Sequence, residues 1–136
     1  MRILAIDPGE KNIGVAISDA TNTLARPLQL LKHKSRSEDA KAIALLAKQH
    51  QVGLIIIGQA LDDEGQPTYS GRKARRLAGA TRTETEIPIK LWDESFSTQD
   101  SRAARIAQGV GRSKRSGHLD ASAAAIILQS YINANQ

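Results

Sequence analysis

Short apolar runs alternate with polar, turn-forming segments along the chain. The runs at 3–6, 13–17, 52–58 and 87–92 predict strands, and the run at 23–31 predicts a fifth strand in which Pro27 favours a sheet edge. Pro8-Gly9 and Lys11-Asn12 carry turn chemistry between the first two runs, which predicts a hairpin. The pattern therefore predicts five strands, of which the first two are antiparallel.

Helical patterns occupy the segments that follow the third run. We expect helices over 35–51, where Ser37, Glu38 and Asp39 favour a helix start, over 70–80, over 97–108 and over 119–132. The first of these has one apolar stripe, formed by Ala40, Ile43, Leu46 and Ala47. Alternating strands and helices after an antiparallel start predict an α/β fold with a mixed sheet flanked by helices. The length predicts a single domain over 1–136.

Composition excludes several kinds of site. The chain has no cysteine, which excludes disulfides, thiolate zinc sites and thiol nucleophiles. The N-terminal apolar run is too short for a membrane span, and its flanks do not fit a signal peptide, so we expect a soluble cytoplasmic protein with no membrane contact. The formal net charge of +5 favours an anionic partner.

The basic residues are concentrated in two segments that lack acids. Such segments are often solvated helix faces, but here no acids are interleaved for pairing along a helix, and the second segment ends in a glycine-bounded loop. This arrangement suits a phosphate backbone, so we expect nucleic acid as the partner. The candidate binding residues are Arg72, Lys73, Arg75, Arg76, Arg112, Lys114 and Arg115.

Two acids follow apolar runs that predict strands. Asp7 and Glu94 would lie at the carboxyl ends of two strands, and Asp120 could join them if its helix begins nearby. Three close carboxylates require raised pKa values or a bound cation, and oxygen ligands favour Mg²⁺ or Mn²⁺. Two such ions can promote hydrolysis of a phosphodiester. Each acid also has a structural interpretation, since Asp7 could cap its turn, Glu94 could be a loop residue and Asp120 could stabilise a helix start.

Several motifs together resemble the YqgF family, also called RuvX, a bacterial group with a ribonuclease-H-like fold. The resemblance covers nearly the whole chain and rests on the order and spacing of motifs that are weak singly. They are Ile6-Asp7-Pro8-Gly9 with Ile13-Gly14-Val15-Ala16, the apolar strand ending at Gly58, Trp92-Asp93-Glu94 with Ser97-Thr98, Lys114-Arg115 before Asp120-Ala121-Ser122-Ala123-Ala124, and Ile127-Leu128-Gln129-Ser130-Tyr131.

The resemblance implies a five-stranded mixed sheet whose first three strands are antiparallel, and a divalent-metal nuclease site at Asp7, Glu94 and Asp120. It also implies a role in 5′-end maturation of precursor 16S rRNA or, alternatively, in cleavage of four-way DNA (Holliday) junctions. The chain departs from the family pattern in two places. Ser95 replaces a common Arg, and Gln59-Ala60 replaces a common Leu-Pro.

Three other interpretations compete with a nuclease. The N-terminal hairpin also resembles the phosphate loop of the actin and sugar-kinase fold, which would need a second hairpin and a second domain that this sequence lacks. A nucleic-acid-binding module without activity and an assembly factor are the other two. Intact Asp7, Glu94 and Asp120 argue against the inactive module, and only an assay separates the assembly factor from an enzyme. The sequence gives no signal of oligomeric state.

Overall fold

Five strands form one mixed sheet in the computed structural model, which describes residues 1–94 and 121–136. The order across the sheet is β3-β2-β1-β4-β5. The strands are β1 (Arg2–Asp7), β2 (Asn12–Ser18), β3 (Ala25–Lys32), β4 (Val52–Gln59) and β5 (Ile89–Asp93), and the helices are α1 (Arg36–Gln49), α2 (Tyr69–Arg82) and α3 (Ser122–Ala134).

The pairing of the strands confirms the predicted mixed sheet. Strands β1, β2 and β3 are successively antiparallel, whereas β1, β4 and β5 run parallel to one another. Pro27 lies in the edge strand β3, as predicted, and the register shifts between Val15 and Ala16 opposite it. An edge position suits proline because it has no N–H to donate to a second neighbour.

Alternation along the central strands gives the sheet two apolar faces. Leu4 and Ile6 of β1 belong to the core that the sheet shares with α1 and α2. Ala5 of β1 and Ile56 of β4 point to the other face and pack against Leu128 and its neighbours in α3. Helices α1 and α2 therefore cover one face of the sheet and α3 covers the other.

The helix boundaries agree with the prediction to within a few residues. Helix α1 starts at the predicted bound because Ser35 caps it, its side chain accepting a hydrogen bond from the Glu38 N–H at 3.1 Å, and Ser37 lies within the first turn. The predicted apolar stripe of α1 is buried. The helix predicted over 97–108 lies outside the described residues. Within the described part of the chain, no helix is long and apolar enough to cross a membrane.

Candidate active site

Two acids that the sequence singles out lie at the same edge of the sheet. Asp7 is the last residue of β1, and Glu94 directly follows β5. Strand β4 lies between these two strands and is parallel to both, so all three carboxyl ends meet at one edge. Both acids are partly buried there. This arrangement agrees with the prediction that Asp7 and Glu94 lie at the carboxyl ends of two strands on one edge of the sheet.

Gly58 leaves room for Glu94 at the end of the intervening strand. A Cβ placed on Gly58 would lie 2.9 Å from Ile127 Cδ1, 3.3 Å from Glu94 Cγ and 3.5 Å from Glu94 Oε1. Any larger side chain would therefore push against the Glu94 side chain and against α3. In the sequence analysis Gly58 marks only the end of a strand. A glycine within a strand often marks a place where another group approaches the backbone closely, so this signal was present in the sequence.

Gly14 has a similar role beside Asp7. The two residues pair across β1 and β2, and a Cβ on Gly14 would lie 3.7 Å from Asp7 Cβ. The same position is 3.5 Å from Ala121 Cα and 3.4 Å from Ala124 Cβ. The start of α3 therefore packs closely onto the strand pair that carries Asp7.

Ionisation is disfavoured at both carboxyl groups. Burial, and second the negative charge of Glu94, together raise the pKa of Asp7 from 3.8 to about 6. The pKa of Glu94 is also raised, first by burial and then by the charge of Asp93. At neutral pH this edge of the sheet holds unfavourable negative charge, which is the electrostatic condition for binding a cation.

The raised pKa of Asp7 predicts how the stability of the metal-free protein varies with pH. Between pH 3.8 and about 6 the folded state binds more protons at Asp7 than the unfolded state does, so the free energy of unfolding falls as pH rises. The pKa difference corresponds to about 3 kcal/mol at most. Urea unfolding in EDTA across this range, compared with Asp7→Asn, measures the effect. A pH dependence that is identical in the two proteins would contradict it.

The remaining predicted ligand and one basic segment lie outside the described residues. These are Asp120 and, among the candidate binding residues, Arg112, Lys114 and Arg115. Within 1–94 and 121–136, no group of three Asp, Glu, His or Cys side chains is placed to hold a metal ion. The described residues thus contain two of the three carboxylates that the prediction requires.

The first basic segment lies on α2, across the sheet from α3. Two of its arginines donate hydrogen bonds within the protein, Arg75 Nε to Gln59 Oε1 at 3.0 Å and Arg72 to the carbonyl of Pro67 at 3.2 Å. Gln59 ends β4 immediately after Gly58, so α2 is tied to the same edge of the sheet as the two acids. Gln59, one of the departures from the family pattern, thereby contacts the basic helix.

A mixed sheet in this order, with acids ending two of its parallel strands, defines a ribonuclease-H-like fold. Thermus thermophilus RuvC in complex with a Holliday junction substrate shares it, with a TM-score of 0.66, 15% identity and coverage of 99% of this chain and 95% of that one. The fowlpox virus resolvase in complex with its substrate Holliday junction DNA has a TM-score of 0.56 at 14% identity, with 99% of each chain covered.

Comparison of the amino-acid sequence with known families identifies the family of this protein. The family model described as "RuvX: Holliday junction resolvase" matches residues 1–134, and the chain belongs to this family. A relative from Thermoanaerobacter pseudethanolicus, 35% identical over 100% of this chain and 99% of its own length, carries the name "Putative pre-16S rRNA nuclease". A protein from Anaeromyxobacter sp. with the same name is 35% identical over 98% of this chain and 97% of its own. Nucleases of this kind are hydrolases of phosphodiester bonds.

Proposed function

We propose that this protein is a divalent-metal-dependent endonuclease that acts in 5′-end maturation of precursor 16S rRNA. The observation that carries the proposal is the pairing of Asp7 with Glu94 at the carboxyl edge of the sheet, where burial and the charge of Glu94 disfavour an ionised Asp7 and so favour a bound cation. The names of full-length relatives at about 35% identity support the choice of substrate.

The donor set fits a hard cation. Asp7 and Glu94 offer carboxylate oxygens, and the chain has no cysteine that would favour a softer metal. Asp120 is the third proposed ligand. Asp120 directly precedes Ala121 in the sequence. The Cα of Ala121 lies 3.5 Å from the Cβ position of Gly14, which pairs with Asp7. Mg²⁺ or Mn²⁺, in two sites, would be held by these three carboxylates.

Each group in the proposed site has a separate task. Bound Mg²⁺ or Mn²⁺ would supply Lewis-acid stabilisation of the phosphate and a lowered pKa for a water molecule. Asp7, Glu94 and Asp120 would hold the cation and fix its position relative to the substrate. The basic residues of both segments would bind the flanking phosphates, namely Arg72, Lys73, Arg75, Arg76, Arg112, Lys114 and Arg115.

A matched cleavage assay tests the substrate. The wild-type protein is incubated with a precursor 16S rRNA 5′ region and with a four-way DNA junction, with Mg²⁺, with Mn²⁺ or with EDTA. We expect metal-dependent cleavage of the RNA. The description of the matching family favours the junction as a second candidate, and preferential cleavage of the junction would establish that function instead. Salt-sensitive binding without cleavage of either substrate would contradict the enzyme and support a binding module.

A further inference from the structure

A cavity of about 360 Å³ opens at the same edge of the sheet, on the face covered by α1 and α2. Three segments form it: the β1–β2 turn directly after Asp7, the junction between β3 and α1, and the first half of α2. We call it the turn cleft. Its volume is within the range of small-molecule sites, which begins at about 300 Å³.

The lining of the turn cleft combines three kinds of chemistry. Ile13 and Leu77 provide apolar surface, and Arg36, Lys73 and Arg76 provide positive charge. Glu10 and Asp39 are the acids that line it. Apolar walls suit a base or sugar, whereas guanidinium and ammonium groups suit a phosphate.

Tyr69 places an aromatic ring at the cleft. It is the first residue of α2, and 63% of its surface is exposed, so its ring is accessible to a ligand in the cleft. Lys73 Nζ lies 4.8 Å from the ring centroid, and the Arg72 guanidinium lies 5.9 Å from it. A base could replace Lys73 on the ring and leave the ammonium group to pair with the phosphate of the same nucleotide.

His33 and Asp39 add a fixed polar group to the cleft wall. Asp39 is buried, with its carboxylate bonded to His33 Nδ1 and accepting from the Lys34 N–H at 3.0 Å. The backbone N–H of His33 donates to the carbonyl of Lys11 at 2.9 Å, which connects this wall of the cleft to the hairpin that carries Asp7. Because Asp39 occupies Nδ1, Nε2 is the ring atom of His33 that remains for a ligand.

We propose that the turn cleft binds one unpaired nucleotide of the substrate, next to the scissile bond. Its base would stack on Tyr69, its phosphate would meet Lys73 and Arg76, and His33 would hydrogen-bond to its polar edge. This inference rests on the proposed nuclease function and adds to it a requirement for single-stranded character. A duplex backbone presents a convex row of phosphates and cannot fill a cavity with apolar walls, whereas an extruded nucleotide can.

Binding without cleavage tests the cleft directly. Fluorescence anisotropy in EDTA compares a labelled single-stranded oligoribonucleotide, a strand of the same length made of abasic nucleotides, and a blunt RNA duplex of the same sequence. The wild-type protein should bind the intact strand about tenfold more tightly than the abasic strand. Tyr69→Ala should remove this difference, whereas Tyr69→Phe should keep it because the ring remains.

Charge variants separate the phosphate contact from general attraction. Lys73→Ala should weaken binding of the intact and abasic strands alike. It should also reduce the slope of log K against log salt concentration by about one. Lys48→Ala removes the same charge from the last turn of α1. That position is about 18 Å along the helix from Arg36, so this variant should bind like the wild-type protein.

The outcomes distinguish failure of the cleft from failure of the nuclease. Three results would refute nucleotide binding in the turn cleft even if the protein cleaves RNA. They are equal affinity for the intact and abasic strands, equal affinity for the intact strand and the duplex, and an unchanged preference in Tyr69→Ala. The expected binding pattern without metal-dependent cleavage would retain the cleft and overturn the proposed enzyme. Thermal unfolding shows whether each variant is folded. If Tyr69→Ala does not fold, Tyr69→Phe still tests the site, because it must keep the preference for the intact strand.

Discussion

Replacing Asp7 by Asn should lower the rate of metal-dependent cleavage about a thousandfold or more, because the loss of several kcal/mol of charge stabilisation acts directly on the rate. Binding of the substrate in EDTA should be equal or tighter, since one negative charge facing the phosphates is removed. The metal-free variant should also be more stable than the wild-type protein at neutral pH, because the ionised form of a carboxyl group whose pKa is raised to about 6 destabilises the fold.

The combination of these results is more informative than lost activity alone. Addition of Mg²⁺ or Mn²⁺ should raise the melting temperature of the wild-type protein and leave that of Asp7→Asn unchanged. Asp63→Asn, which neutralises an exposed acid in the loop before α2, is the control and should behave like the wild-type protein in all of these assays. Full activity in Asp7→Asn would refute the metal site, and so would an equal metal-induced rise in both proteins.

Replacing Gly58 by Val should lower kcat/KM about a hundredfold, although residue 58 carries no reactive group. A Cβ at this position already lies 3.3 Å from Glu94 Cγ, so the branched side chain must displace the Glu94 carboxylate. A displacement of about 1 Å in a positioned group is enough for a loss of this size. Steady-state kinetics with the preferred substrate measures the effect.

A control separates displacement of Glu94 from simple loss of stability. Gly58→Val should also destabilise the fold by about 1–3 kcal/mol through overpacking against α3. Ile127→Val removes Cδ1, the atom nearest to the Gly58 Cβ position, and should cost about 1 kcal/mol while leaving the Glu94 side chain in place. Ile127→Val should therefore remain fully active. An active Gly58→Val enzyme, or an Ile127→Val enzyme that loses activity equally, would refute the role of Gly58.

The strands and the convergence of two acids could be predicted because both depend on local patterns. Short apolar runs rich in isoleucine and bounded by turn residues, such as 3–6 and 52–58, favour buried strands, and the carboxyl ends of parallel strands share an edge. The start of β5 was predicted two residues early. Pro88 accepts a hydrogen bond from the Ile55 N–H at 3.0 Å, but it has no N–H of its own, so the strand begins at Ile89.

The parts that could not be predicted depend on which elements become neighbours in space. No local pattern indicates that the basic helix α2 covers the face of the sheet opposite α3, because either face satisfies its apolar stripe. The turn cleft is likewise assembled from three segments that are distant in sequence, and Tyr69 by itself is an ordinary helix-start residue. The role of Gly58 also emerges only when Glu94, which follows the neighbouring strand β5, is placed beside it.

Helix α3 has a consequence for how the protein is synthesised. It packs against β1, β2, β3 and β4, and Gln129 binds the edge strand through the Ala25 N–H at 2.9 Å and the Thr23 carbonyl at 3.0 Å. A nascent chain that ends before this helix has left the ribosome has one bare sheet face and an edge strand without this anchor. Ala121 and Ala124 lie close to Gly14, the cross-strand partner of Asp7, so this part of the site is covered only when α3 docks. We therefore expect the nascent chain to be most prone to aggregation before α3 has emerged and docked.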